Sequence, residues 1–160
     1  MPKKLTCGIV GYGYMGEIRR QVIEQNHALN LIGICETDPK VRRGIKGCRV
    51  FDSVDALFEK DIDALFVCTP NKFSPAIVIQ ALTAGKHVFC EKPPGCHLQD
   101  VLDIRKAEKP GLKLMFGFNH RYHPGVVKAK VIADSGRMGK IVNLRGIYGK
   151  SGGTAFRQSW

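Results

Sequence analysis

The stretch Gly8-Ile9-Val10-Gly11-Tyr12-Gly13-Tyr14-Met15-Gly16 limits what this chain can fold into more than any other. The apolar run from Leu5 to Val10 predicts a short buried strand, and Glu17 to Ile23 continues with helical periodicity. Between them Gly11, Gly13 and Gly16 match G-x-G-x-x-G, in the strand–turn–helix setting that this motif needs. Gly11 permits the tight turn, Gly13 lets the backbone approach a pyrophosphate, and Gly16 lets the helix pack closely on the strand. Tyr12, Tyr14 and Met15 complete the loop. Free N–H groups at the positive end of the helix would face the phosphates. A carboxylate should follow about twenty residues on, at the end of a second strand. Leu29 to Glu36 reads as that strand, and Glu36 is in place. Strand, loop, helix and acid together point to a dinucleotide site.

At 160 residues the chain suits one domain, or one and a piece of another. Its 44% apolar content argues against disorder. No apolar run reaches the ~18 residues of a membrane span. Met1-Pro2-Lys3-Lys4 leads directly into a strand without a secretory apolar segment, so a cytoplasmic protein is expected. The net charge of +11 raises the question of a nucleic-acid partner. Lys and Arg are scattered, without a basic run or an aromatic stacking pattern, so a solvated surface facing anionic ligands is the better account. Of the six cysteines, Cys7, Cys35, Cys68 and Cys90 lie within or at the ends of apolar strand runs, where thiols act as small hydrophobes. Cys48 and Cys96 fall near turns. No C-x-x-C pair or Cys/His ligand spacing is present, so reduced thiols and no metal site are expected.

Further along, Lys40 to Gly44 predicts a short helix and Cys48 to Phe51 a third strand. Ser53 is placed to cap a helix from Val54 to Lys60. Ala64 to Cys68 predicts a fourth strand, ending at Thr69-Pro70-Asn71 on the carboxyl edge, where ligands bind in this architecture. Ser74-Pro75 reads as an N-cap with proline at the first helical position, opening a helix through Ala84. His87 to Cys90 is the fifth strand, His97 to Lys109 a helix, and Leu112 to Asn119 the sixth strand. Alternating strands and helices predict an α/β, doubly wound parallel sheet. Pro124 to Ser135 reads as a helix ended by Gly136, and Ile141 to Tyr148 as a strand. One helix and one strand cannot bury both faces, so residues 121–160 read as the linker helix and first strand of a second domain that the sequence does not complete.

The residues quoted so far resemble the Gfo/Idh/MocA oxidoreductases, the glucose–fructose oxidoreductase and inositol dehydrogenase family. The resemblance runs through Gly11 to Gly16, Glu36 and Thr69-Pro70-Asn71. It is most specific at Ala84-Gly85-Lys86-His87-Val88-Phe89-Cys90-Glu91-Lys92-Pro93, which is similar to the family's lead into its Glu-Lys-Pro motif. Gly117 to Tyr122 resembles the segment joining the family's two domains, and Gly139 to Gly146 the first part of its substrate domain. The resemblance implies a Rossmann domain over residues 1–120 and hydride transfer between a sugar or nucleotide-sugar carbon and a nicotinamide. It implies Lys92 as the catalytic-site lysine, stabilising negative charge on the reacting oxygen. Glu91 would position that loop or the coenzyme ribose, while Thr69, Pro70 and Asn71 would line the nicotinamide side, with Asn119 and Arg121 facing the same cleft.

Glu36 should favour NAD over NADP by repelling a 2′-phosphate, with Lys40, Arg42 and Arg43 close enough in sequence to complicate the preference. The family's usual histidine acid/base comes from an Asp-x-x-x-His motif in the second domain, which these 160 residues lack. His120 and His123 are substitutes to be weighed against ordinary packing roles. Many relatives have histidine where Ser74 stands, a mild change if serine caps the helix. The expectation is therefore the coenzyme half of a sugar oxidoreductase. The alternative is a non-catalytic dinucleotide-binding module or an inactive fragment. Relatives of this kind assemble through substrate-domain sheets, and a lone strand near Ile141 could instead pair between chains.

Overall fold

Parallel strands covered on both faces need near-continuous apolar runs, and the apolar runs of this chain form such strands. The computed structural model describes residues 3–147 and Gly149. Strands β1 (Leu5–Val10), β2 (Leu29–Cys35), β3 (Val50–Phe51), β4 (Ala64–Val67), β5 (His87–Cys90) and β6 (Leu114–Phe116) alternate with helices. The helices are α1 (Tyr14–Gln25), α2 (Pro39–Gly44), α3 (Val54–Phe58), α4 (Ser74–Thr83) and α5 (Leu98–Ala107), followed by a 3-10 turn at Asn119–Tyr122 and α6 (Pro124–Asp134). The sheet order is β3-β2-β1-β4-β5-β6, and every neighbouring pair is parallel. This is the doubly wound order, whose direction reverses between β1 and β4. The expected fold class is the one observed. The chain divides into two units, one ending at Gly117 and the other beginning at Phe118.

Period-two alternation sends the side chains of each strand to two separate cores. Cys7 and Ile9 of β1 join Ile23, Ile34 and Ile45 on one face. Val10, Leu65, Val67 and Val88 join Leu57, Val78, Leu82 and Ile104 on the other. At Gly8 the missing side chain gives its place to Leu57, whose Cδ2 would lie 3.0 Å from an added Cβ. The amino ends of β1 and β4 are fastened by polar bonds. Thr6 donates both its N–H and its hydroxyl to Asp63 Oδ2 at 2.8 Å, and Asp63 N–H returns a bond to Thr6 O at 2.8 Å. Those two Thr6 donors hold the Asp63 carboxyl below its ordinary pKa.

Several boundaries differ from expectation. Ser53 does cap α3, accepting from Ala56 N–H at 3.3 Å. Ser74 does not cap α4: Phe73 is the flanking residue, and Ser74 lies inside the first turn with its hydroxyl turned back to Thr69 and Pro70. Helix α5 begins after His97, because Asp100 Oδ2 reaches back to the N–H groups of Cys96 and His97 at 2.7 and 2.9 Å. It ends at Ala107, since Glu108 is extended ahead of Pro110. Strand β6 stops at Phe116, so Asn119 stands on the 3-10 turn and not on a strand.

In the second unit α6 forms over the expected residues, and Gly136 with φ +72° lies just past its end. The expected strand from Ile141 is not formed across residues 141–147. A strand exists by hydrogen bonding to a neighbour, and no described segment of this unit supplies one. Tyr148 and the expected tail from Lys150 to Trp160 lie outside the described residues. Among the described residues, no helix is long and apolar enough to cross a membrane.

The strand placement of the thiols has a measurable consequence. Burial pushes Cys7 and Cys35 up to about 11 and Cys68 and Cys90 up to about 12, and all six cysteines are unpaired. The thiolate is the reactive form, so a raised pKa and lost access both slow alkylation near neutral pH. Iodoacetamide followed by peptide mass mapping should modify exposed Cys96 first and half-buried Cys48 more slowly. Cys7, Cys35, Cys68 and Cys90 should react only after unfolding.

Candidate functional site

The glycine loop lies over the carboxyl ends of β2, β1 and β4. Gly11 has φ +86°, donates its N–H to Cys35 O at 2.9 Å, and would put a Cβ 2.8 Å from Cys68 O. Both the backbone conformation and the space therefore demand glycine. Gly16, in the first turn of α1, would put a Cβ into the Gly11 carbonyl oxygen. The helix thus packs on the loop itself, a closer contact than the strand packing expected from the motif. Gly13 is different: an added Cβ meets nothing within 4 Å, and its φ of −77° suits any residue. It flanks α1 without any side-chain cap, leaving the first helical N–H groups directed outward. An uncapped helix start beside an open glycine is a cradle for an anion. Tyr14 is exposed and Met15 half-buried at the same end.

Glu36 follows β2 and its carboxylate bridges two turns. Oε2 accepts from Tyr12 N–H at 2.7 Å and Oε1 from Asp38 N–H at 2.9 Å. A carboxylate offers about four acceptor positions, so further donors can still be received. Arg42 Nη1 donates to Glu36 O at 3.3 Å, and Arg43 Nε to Pro39 O at 3.2 Å. Lys40 contributes its backbone N–H to the Asp38 cap of α2 at 2.7 Å. Tyr12 divides its roles. Its backbone joins the loop, whereas its ring packs on the core and its hydroxyl accepts from Arg20 Nη1 at 3.3 Å.

Across the switch point, Thr69, Pro70 and Asn71 form a turn held from beneath by Ser74. That serine is 1% exposed, and its Oγ lies 3.1 Å from Thr69 Oγ1, 3.3 Å from Thr69 O and 3.4 Å from Pro70 O. The hydroxyl occupies a structural position that the primary sequence suggested for capping. At the end of β5, Glu91 is buried and Lys92 exposed, with a cis peptide between Lys92 and Pro93. Glu91 meets Arg19 of α1: Nε and Nη2 both donate to Oε1, at 2.8 and 2.5 Å. The Arg19 guanidinium also lies 4.6 Å from the centre of the Phe89 ring. Arg19 was not among the residues expected in the site, and no sequence pattern links positions so far apart.

Asn119 and Arg121 are exposed on the 3-10 turn of the second unit, beside His120. His123 has a structural task there, its Nδ1 accepting from Gly125 N–H at 3.2 Å to cap α6. A groove of about 480 Å³ lined by Lys4, Ile23, Leu29, Leu31, Cys48 and Arg49 lies at the amino edge of β1–β3, opposite the glycine loop. Among the described residues, no group of three His, Cys, Asp or Glu side chains could hold a metal ion.

Known proteins resemble this chain in sequence and fold. The family model GFO_IDH_MocA, described as an oxidoreductase family with an NAD-binding Rossmann fold, matches residues 5–118. Inositol 2-dehydrogenase of Rhizobium meliloti is 29% identical over 140 residues, covering 84% of this chain and 42% of that protein. The structure of scyllo-inositol dehydrogenase from Lactobacillus casei with bound NAD(H) and scyllo-inositol is 30% identical, with a TM-score of 0.75 over 86% of this chain and 43% of that one. The WlbA dehydrogenase from Bordetella pertussis, in complex with NADH and UDP-GlcNAcA, is 27% identical with a TM-score of 0.81 over 88% of this chain and 44% of that one. The chain thus spans less than half the length of each of these three relatives.

The contact between Gly16 and Gly11 sets one expectation. Gly16→Ala gains about 1 kcal/mol of helix propensity but drives a methyl into a backbone oxygen, an overpacking that costs about 1–3 kcal/mol. The collision should win, because backbone and not a flexible side chain must give way. Urea denaturation should show a lower midpoint for Gly16→Ala, with an unchanged m-value.

Proposed function

This chain belongs to the Gfo/Idh/MocA oxidoreductase family, and we propose that it is the coenzyme-binding half of an NAD-dependent dehydrogenase acting on a sugar-type alcohol. The observation that carries the proposal is the uncapped start of α1 beside the open Gly13, with the Glu36 carboxylate held against Tyr12 N–H next to it. Nicotinamide dinucleotide, when bound, supplies the hydride acceptor. The N–H groups at the start of α1 receive its diphosphate, favoured by the helix dipole. Glu36 accepts the adenosine ribose hydroxyls with its remaining lone pairs and repels a 2′-phosphate. Thr69, Pro70 and Asn71 shape the nicotinamide side at the switch point, on a turn held by Ser74.

Lys92 is the residue assigned to the reacting oxygen of the substrate, where an ammonium lowers the energy of developing negative charge. Glu91 is assigned to this loop, where its Oε1 accepts two bonds from Arg19. Asn119 and Arg121 are assigned to the coenzyme on the family resemblance alone. The sugar-type substrate class is taken from relatives solved with scyllo-inositol and UDP-GlcNAcA. A cytoplasmic location suits six unpaired thiols.

Two measurements test the reading. Gly13→Val adds a side chain whose Cβ meets nothing within 4 Å, so thermal stability should largely hold while close approach of the diphosphate is blocked. NADH fluorescence titration should show affinity falling by about tenfold or more, the loss of one or two charge-assisted hydrogen bonds. Equal affinity would remove the site. For Glu36→Gln, the NAD-over-NADP preference should narrow by roughly tenfold, since a neutral amide no longer repels phosphate and Arg42 stands beside the same turn. A preference identical to wild type would contradict the assigned role.

A further inference from the structure

We propose that Arg19 is a positioning residue, which holds the Lys92 loop in place relative to the coenzyme helix through its ion pair with Glu91. The inference rests on the coenzyme reading above and concerns how two parts of that site are joined. Arg19 stands one turn into α1 from Gly16, on the helix whose start receives the diphosphate. Glu91 is the residue before Lys92. The two side chains are 14% and 10% exposed and joined by two bonds to one carboxylate oxygen. The guanidinium is further confined by the Phe89 ring at 4.6 Å.

The surrounding backbone explains why this side chain matters to the loop. Glu91 N–H donates to Val67 O and Gly117 N–H to Cys90 O, both at 2.9 Å. Beyond Glu91 the strand ladder ends, and Pro93 has no N–H to offer. The anchoring of the Glu91 side chain is therefore one of the restraints on the direction of the loop past that point. Gly117 shows how closely it is fitted: a Cβ there would lie 2.9 Å from Glu91 Oε2. The carboxylate is enclosed by α1, β5 and the end of β6, and Arg19 supplies the cation that neutralises it. Without that cation, a largely buried carboxylate next to Lys92 would lose the guanidinium that compensates it. It would also oppose the negative charge that Lys92 is there to stabilise.

The test compares the full wild-type chain with Arg19→Met, Arg19→Lys and Glu91→Gln. NADH affinity is read by fluorescence, and acylation of Lys92 by an amine-reactive ester is read by peptide mass mapping. With NADH at about ten times each variant's own Kd, only the free fraction of wild type reacts, so Lys92 labelling should slow by about tenfold. Arg19→Met should bind NADH within about threefold of wild type yet show less than about twofold protection of Lys92. Arg19→Lys should restore most of the protection, and Glu91→Gln should lose it. If Arg19→Met does not fold, the comparison of Glu91→Gln with Arg19→Lys decides the matter in the same way. Lowered thermal stability with wild-type protection would make the pair merely structural and overturn the proposal. Wild-type chain that fails to bind NADH would overturn the coenzyme reading first, and this inference with it.

Discussion

The closeness of α1 to the first loop governs the geometry of the whole site. Two missing side chains permit it, at Gly11 and Gly16, where any Cβ would strike backbone oxygen. That contact sets where the helix begins, and so where its unpaired N–H groups point. It also brings the loop over the junction between β1 and β4, where the sheet order reverses. Gly13 plays the opposite part, keeping space outside the protein open. One motif thus contains two glycines whose Cβ space is taken by backbone and a third whose Cβ space is open.

Charge is distributed around this loop with the same economy of means. On the β2 side, Glu36 holds Tyr12 and Asp38 by their backbone N–H groups while keeping acceptor capacity for a ribose. On the β5 side, Glu91 is buried, with Oε1 bonded to Arg19 and Oε2 close to Gly117. Two glutamates at the ends of two strands therefore differ in surroundings: one accepts from the backbone N–H groups of two turns, the other from a guanidinium. Two of the cations at this edge, Arg19 and Arg42, are tied to protein acceptors.

Much of the architecture was legible before any coordinates. Leu5 to Val10 and His87 to Cys90 are strands at the expected residues, and Ser53 caps α3 as its position suggested. Such features depend on windows of a few residues, in which periodicity, proline and cap chemistry act locally. Ser74 was placed at the right helix but given the wrong task, because its partners, Thr69 and Pro70, belong to a turn whose shape is set by β4. The sixth strand was expected from Leu112 to Asn119 but pairs only over Leu114–Phe116, with a 3-10 turn after it, because an apolar run shows where a strand can form, not where its neighbour stops pairing.

The sequence by itself determined the alternating α/β order, the glycine loop, the acid at the end of the second strand and the family resemblance, all carried by residues near one another in the chain. Only the tertiary structure decided that Gly16 rests on Gly11, that Gly13 is open, that Ser74 braces Thr69, and that Arg19 meets Glu91. The physical reason is that backbone preference and hydrophobic period act over a few residues. The pairing of charges and the fit of a Cβ depend on which strands the sheet order makes neighbours.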